Sequence, residues 1–225
     1  NPLAAIQLYA DMLKSDFEML EKTGNAATAG VDAAFGAATA GKIHEAVRGL
    51  DAIVCDVLSF AGDMDAQPAR LDLQPLFEKA VEACRPAIRG REVALKYDIP
   101  ADAARVYADA DLLHRALLNL IRNAVDAMGE SDQPRELTLG ARLDEGQSVL
   151  TVRDTGPGIN DRDVDRLFNP FFTTRHTGTG LGLAIVHRIV DAHGGAISVH
   201  NDGGAVFELS LPRGESQAAT PEHDA

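Results

Sequence analysis

With 225 residues and 45% hydrophobic content, the chain is long enough for one large domain or two modest ones around a packed core. A formal charge of -13, from 34 acidic against 21 basic residues, argues against a surface for duplex nucleic acid or an anionic membrane, since both need clustered Lys and Arg. Cys55 and Cys84 sit in apolar helical patterns without metal-ligand spacing, no run approaches a membrane span, and Asn1 rather than Met comes first, so the expectation is a cytoplasmic piece of a longer protein with free buried thiols. In chain order, Leu3, Ile6, Ala10, Leu13, Phe17 and Leu20 step by three and four, a sustained heptad. Ile43, Val47, Leu50, Val54, Val57 and Phe60 or Ala61 repeat it, with an Ala-, Gly- and Thr-rich segment between. The pattern predicts a helical hairpin over residues 1–65, and because two helices cannot bury both seams alone, a homodimeric four-helix bundle is expected.

"FAGDMDAQPARLD" reads as a run-down into a linker at residues 66–72, after which a second domain is expected over residues 73–213. In it, "LQPLFEKAVEAC" predicts a helix, "EVALKYDIP" a strand, and "DADLLHRALLNLIRNAVDAM" a long amphipathic helix closed by Gly129. "ELTLGARL" and "QSVLTVRD" form a hairpin across "DEG", and "AISVHN" and "AVFELSLP" form another across "DGG". Between the hairpins lie glycine loops and the helix "GLAIVHRIVDAHGG". Helices gathered around antiparallel hairpins give an α+β two-layer sandwich, and residues 214–225 read as a disordered tail.

Three constellations carry chemistry. "TGTGLGLAIV" puts Gly178, Gly180 and Gly182 ahead of a helix, but position 183 is Leu183 where a dinucleotide fingerprint needs glycine, and no Gly-Lys-Ser/Thr comes after it for a P-loop. A glycine ribbon remains whose amides, with the helix N-terminus, suit a polyphosphate; the same glycines also suit a helix start that needs small residues. In "VLTVRDTGPGI", Leu150, Val152 and Asp154 share one strand face, so a carboxylate points inward. Burying it requires a donor, which a purine exocyclic amine supplies while Gly156 and Gly158 let the flat base approach; the other reading is a turn that Asp154 caps itself.

In the third constellation, Asn119, Asn123 and Asp126 stand at i, i+4 and i+7, where amide oxygens suit a magnesium shell completed by phosphates and water, or else a solvated face shared with Arg115 and Arg122. "RLFNPFFTT" adds Phe168, Phe171 and Phe172, most simply an aromatic core cluster, beside Arg175, a cation for a γ-phosphate.

The order of these motifs, the Asn-rich helix, "DTGPGI", "FNPFFTT" and "GTGLGLAIVHRIVDAHGG", resembles the ATP-binding domain of bacterial two-component sensor histidine kinases, of the ATPase superfamily shared with type II topoisomerases and heat-shock chaperones. "NPLAAIQLYADML" is similar to the segment directly after the phosphoacceptor box of their dimerisation domain, and "NPFFTTRHTGTGLGLAIV" resembles the nitrogen-regulation branch. The resemblance implies Asn123 as magnesium ligand, Asn119 and Asp126 near the phosphates, and Asp154 on the adenine amine with Gly156, Gly158 and Ile159 beneath the base. Thr173, Thr174 and Arg175 would lie at the hinge of a lid made by Gly178, Thr179, Gly180, Leu181 and Gly182. It also implies Mg2+ and ATP as cofactors, a response-regulator receiver domain as partner, and a role for Asn1 in removing phosphate from that regulator. The accepting histidine stands four residues before the Asn of "NPL" in the family, which is ahead of Asn1, so this stretch is expected to bind ATP without labelling itself. Asn119 stands where water-using members carry a glutamate base; an amide takes no proton, which favours phosphotransfer over hydrolysis. The alternative function is an ATP-gated interaction module without kinase activity.

Overall fold

The computed structural model describes residues 2–23, 33–62, 64–129, 134–175 and 178–213. The readings made on Asn1, on the connection at 24–32, on the Cys55 side chain and on the tail lie outside the described residues. The chain divides into two compact units, Asn1–Ala61 and Gly62–Ala225.

In the first unit, α1 (Pro2–Thr23) packs against α2 (Ala33–Ala61). Helix α2 begins inside the Ala- and Gly-rich segment, and Gly36 faces Leu13, whose Cδ2 would lie 3.9 Å from a Cβ at that position. The heptad positions Phe17, Val54 and Val57 stay exposed, as do Leu8 and Leu58, with Phe17 67% and Leu58 66% accessible. One hairpin therefore leaves a second apolar seam in water.

The second unit is built on a five-stranded sheet of order β2-β4-β5-β7-β6: β2 (Ala94–Asp98), β4 (Glu136–Asp144), β5 (Gln147–Asp154), β6 (Ala196–Asn201) and β7 (Ala205–Pro212). The β4–β5 hairpin turns on Glu145 and Gly146, both at positive φ (45° and 83°), which matches the right-handed twist of its strands. Strand β2 joins β4 in parallel, making the sheet mixed. A separate two-stranded ribbon pairs β1 (Ala69–Asp72) with β3 (Arg105–Ala108). The segment read as linker thus contains a strand, and neither partner is long enough to show a period of its own.

Helices α3 (Leu73–Gly90), α4 (Ala110–Met128) and α5 (Gly182–Ala192) supply the other layer, with α4 on β4 and β5, α5 on β6 and β7, and α3 against α4. The apolar stripe of α4 is wholly buried at Leu117, Leu120 and Ile121, facing Leu137, Leu139 and Leu150 of the sheet's inner face. Asp109 caps α4 by accepting from the amides of Asp111 and Leu112, both 3.0 Å, and these bonds hold its carboxyl below the usual range. His193, after α5, accepts the Asp109 amide on Nε2 (2.8 Å) and donates from Nδ1 to the Ile189 carbonyl (2.7 Å), tying the two helices together. Gly129 closes α4 at φ -62°, not in the left-handed region that ends many helices; its smallness serves packing, because a Cβ would come within 2.9 Å of Arg91 Nε. Cys84 is buried, and burial pushes its thiol up.

Candidate functional site

Helix α4 is the rail along which the motif residues assemble. At Asn119, Nδ2 donates to the Arg115 carbonyl (3.1 Å), which turns Oδ1 outward toward Gly182, the first residue of α5; a Cβ there would sit 3.1 Å from that oxygen. One turn on, the Asn123 carbonyl accepts from Arg175 Nη2 (3.0 Å), and no hydrogen bond engages the Asn123 side-chain amide among the described residues. Further along, Ala127 touches the "DTGPG" loop, since a Cβ on Gly156 would come within 3.3 Å of the Ala127 Cβ. The "DTGPG" loop and the stretch from Arg175 to Gly182 therefore meet successive turns of one helix.

Asp154 ends β5 with 2% exposure, on the inward face with Leu150 and Val152. Its Oδ1 accepts from the Gly156 amide (2.8 Å) and the Ala205 amide (3.3 Å), while Oδ2 has no hydrogen bond among the described residues. Burial raises the carboxyl above its ordinary range, opposed by those two amides and by the positive charge of Arg175. Oδ1 thus caps its own loop, as one of the two readings of Asp154 made from sequence has it. Gly204 lies against the same strand end so closely that a Cβ would fall 2.0 Å from the Asp154 carbonyl oxygen.

The loop after Asp154 is pinned by a residue outside the motifs. Asn201, at the end of β6, accepts from the Ile159 amide on Oδ1 (2.8 Å) and donates from Nδ2 to the Ile159 carbonyl (2.7 Å). That two-point grip fixes Ile159 as a strand partner would, and it leaves no room for a side chain at Gly158, where a Cβ would meet Oδ1 at 2.7 Å and φ is +74°. Its only trace in the sequence is an Asn at the mouth of a turn, which reads as turn chemistry.

On the opposite side, the Thr173 hydroxyl accepts the Arg175 amide (3.1 Å), and Thr179 Oγ1 accepts the Leu181 amide (3.2 Å). Thr174 makes no hydrogen bond among the described residues. Phe171 and Gly180 pair through the Phe171 amide and the Gly180 carbonyl (2.9 Å), and both have positive φ, 67° and 68°. The aromatic core cluster expected here does not form: Phe171 is 68% exposed, the Phe168 ring lies tilted against the His187 ring with centroids 5.6 Å apart, and Phe172 lies under the Arg166 guanidinium at 4.6 Å. The left-handed turn at Phe171 throws its ring outward. Arg175 reaches α4, with Nη1 3.8 Å from Asp126 Oδ2, and Asp126 Oδ1 also pairs with Arg91 Nη1. No group of His, Cys, Asp and Glu able to hold a metal is found among the described residues.

Residues 108–215 match the family described as histidine kinase-, DNA gyrase B-, and HSP90-like ATPase. The chain is 33% identical over 232 residues to the C4-dicarboxylate transport sensor protein DctB of Pseudomonas aeruginosa, an alignment that spans all of this chain and 36% of that protein. It is 30% identical to the crystallised catalytic domain of histidine kinase ThkA, with a TM-score of 0.59 over 65% of this chain and 96% of that domain. A structure of ThkA in complex with response regulator protein TrrA shares the fold over 95% of this chain and 58% of that one, at 23% identity and a TM-score of 0.74.

Proposed function

On the footing that this chain belongs to the bacterial two-component sensor histidine kinases and carries their ATPase domain, we propose that its second unit binds Mg-ATP and presents the γ-phosphoryl group to a histidine. The observation that carries the reading is Asp154, a buried carboxylate with one oxygen satisfied by backbone amides and the other free for an exocyclic amine. A wholly structural carboxylate at 2% exposure would be expected to have both oxygens engaged.

In this reading Gly156, Gly158 and Ile159 receive the base, with Ile159 held by Asn201. The amides from Gly178 to Gly182, through Thr179, Gly180 and Leu181, surround the phosphates at the start of α5, with Thr173 and Thr174 at the hinge of that lid. The free amide of Asn123 fits a magnesium ion, which takes few protein ligands and keeps its waters, and Asn119 lies one turn away toward Gly182. Magnesium would supply charge neutralisation at the phosphates. Arg175 supplies a guanidinium for the γ-phosphate. The imidazole nitrogen of the acceptor then attacks γ-phosphorus, the bond to the bridging oxygen breaks, ADP leaves, and phosphohistidine remains. No general base is required of Asn119.

For the whole protein we propose a cytoplasmic placement, passage of the phosphoryl group to a response-regulator aspartate, and a homodimer through the seam that leaves Leu8, Phe17, Val54 and Leu58 exposed. The motif "NPFFTTRHTGTGLGLAIV" supports membership of the nitrogen-regulation branch. The test is a phosphotransfer assay that mixes the chain with Mg-ATP and a separate helical hairpin bearing a histidine four residues before "NPL". Acid-labile, base-stable label on that hairpin is expected. ATP binding without label would leave a nucleotide-gated module, and no binding would remove the reading.

A further inference from the structure

Asp126 is ill suited to a triphosphate site, since an uncompensated anion there repels the ligand. It carries two cations of different standing. Arg91, in the turn between α3 and β2, is built in: its amide donates to the Ala87 carbonyl (3.2 Å), its carbonyl accepts Arg135 Nη1 (2.9 Å), and its side chain crosses the end of α4 over Gly129 to pair with Asp126 Oδ1. Arg175 is held more loosely, 3.8 Å from Oδ2 and by one bond to the Asn123 carbonyl. A phosphate offers Arg175 shorter, two-point, charge-assisted bonds than that pair does.

We propose that Asp126 is a counter-ion rather than an ATP ligand, that it parks Arg175 on α4 while the phosphate site is empty, and that Arg91 is the positioning residue that balances the Asp126 charge once a γ-phosphate draws Arg175 away. The inference rests on the nucleotide reading above and deepens it: the triad responds to the third phosphate. ADP leaves Arg175 parked; ATP moves it.

The test is the ratio of Mg-ATP to Mg-ADP affinity, by calorimetry, for the wild-type chain, Arg91→Gln, Arg91→Lys, Asp126→Asn and the double variant Arg91→Gln/Asp126→Asn. Removing Arg91 leaves Asp126 to hold Arg175 and repel the γ-phosphate, so Arg91→Gln is expected to lower the ATP/ADP ratio by about fivefold, the scale of one half-exposed ion pair. Arg91→Lys restores most of it. Asp126→Asn raises the ratio by a similar factor, and in its background Arg91→Gln has no further effect. Three results would overturn the inference alone: equal losses for ATP and ADP in Arg91→Gln, loss of ATP binding in Asp126→Asn, or simple additivity in the double variant. Should Arg91→Gln melt early, the rise expected for Asp126→Asn decides by itself. A wild-type chain that binds neither nucleotide overturns the function and this inference together.

Discussion

The two ends of the site are built by opposite means. At the end proposed for the base the named groups are already fixed: Asp154 is buried with Oδ1 on two amides, Ile159 is gripped twice by Asn201, and Gly204 packs against the Asp154 carbonyl. At the end proposed for the phosphates Arg175 pairs with Asp126 and the Asn123 carbonyl, and Thr173 with the Arg175 amide, while the Asn123 side chain and Thr174 make no hydrogen bond among the described residues. Rigid placement suits a base whose shape never changes during turnover. Provisional pairing suits phosphates, which arrive as three and leave as two.

Asp154→Asn breaks the comparison most severely. Loss of the charged acceptor is predicted to weaken adenosine, ADP and ATP alike by about a hundredfold, the scale of a ~2–3 kcal/mol bond to a buried carboxylate, and calorimetry with the three ligands checks it. The empty protein should respond the other way. Because burial raises the Asp154 carboxyl, its ionised form costs stability, and that cost is absent below the unfolded carboxylate range and grows as pH rises through the folded value. The variant carries no such cost, so melts from neutral to acid pH should show wild type gaining on Asp154→Asn as pH falls. Wild type losing ground to Asp154→Asn as pH falls would refute this account of Asp154.

Gly180→Ala tests the phosphate end. A Cβ there would lie 2.4 Å from the Phe171 carbonyl carbon at φ +68°, so the Phe171–Gly180 pairing must shift. About tenfold weaker ATP binding is predicted, with adenosine affinity unchanged, because the base end shares none of these atoms. Equal loss for both ligands would mean that the two ends are one cooperative unit.

The same division explains what could be read from the sequence. The rail helix, the two hairpins and the helix after the glycine loop announce themselves by period and by turn residues, and Asp154 by its place on an inward strand face. The ribbon of β1 and β3 does not, because four-residue strands paired across more than thirty positions have no local signal. Phe168, Phe171 and Phe172 read as core by composition, yet one left-handed residue sends Phe171 into water. Asn201 and Arg91 were invisible for a further reason: each acts on a motif through a long-range polar contact, and side chains of this kind occupy ordinary turns by the dozen.

Asn201→Ala removes the grip on Ile159, two hydrogen bonds of ~1 kcal/mol each before water compensates. Adenosine, ADP and ATP are each predicted to bind about fivefold more weakly, by the same factor, since the fault lies beneath the base and not at the phosphates. A loss confined to ATP would move Asn201 to the wrong end of the site.

The smallest effect belongs to its neighbour. Asp202 pairs with Arg153 at 2.9 Å in the same turn, with the two side chains 62% and 44% exposed. Salt and water screen such a pair, and ordering two mobile side chains offsets much of what remains, so Asp202→Ala should change unfolding stability by less than ~1 kcal/mol. Nucleotide affinity should stay within about twofold of wild type, because the pair touches no atom that faces the base. Adjacent residues in one turn would then differ in function for a reason geometry supplies: the Asn201 side chain satisfies backbone groups of the loop proposed to receive the base, whereas the Asp202 side chain satisfies only another side chain. If Asp202→Ala proved as harmful as Asn201→Ala, the turn as a whole would be what holds the loop, and the two-point grip would lose its special standing.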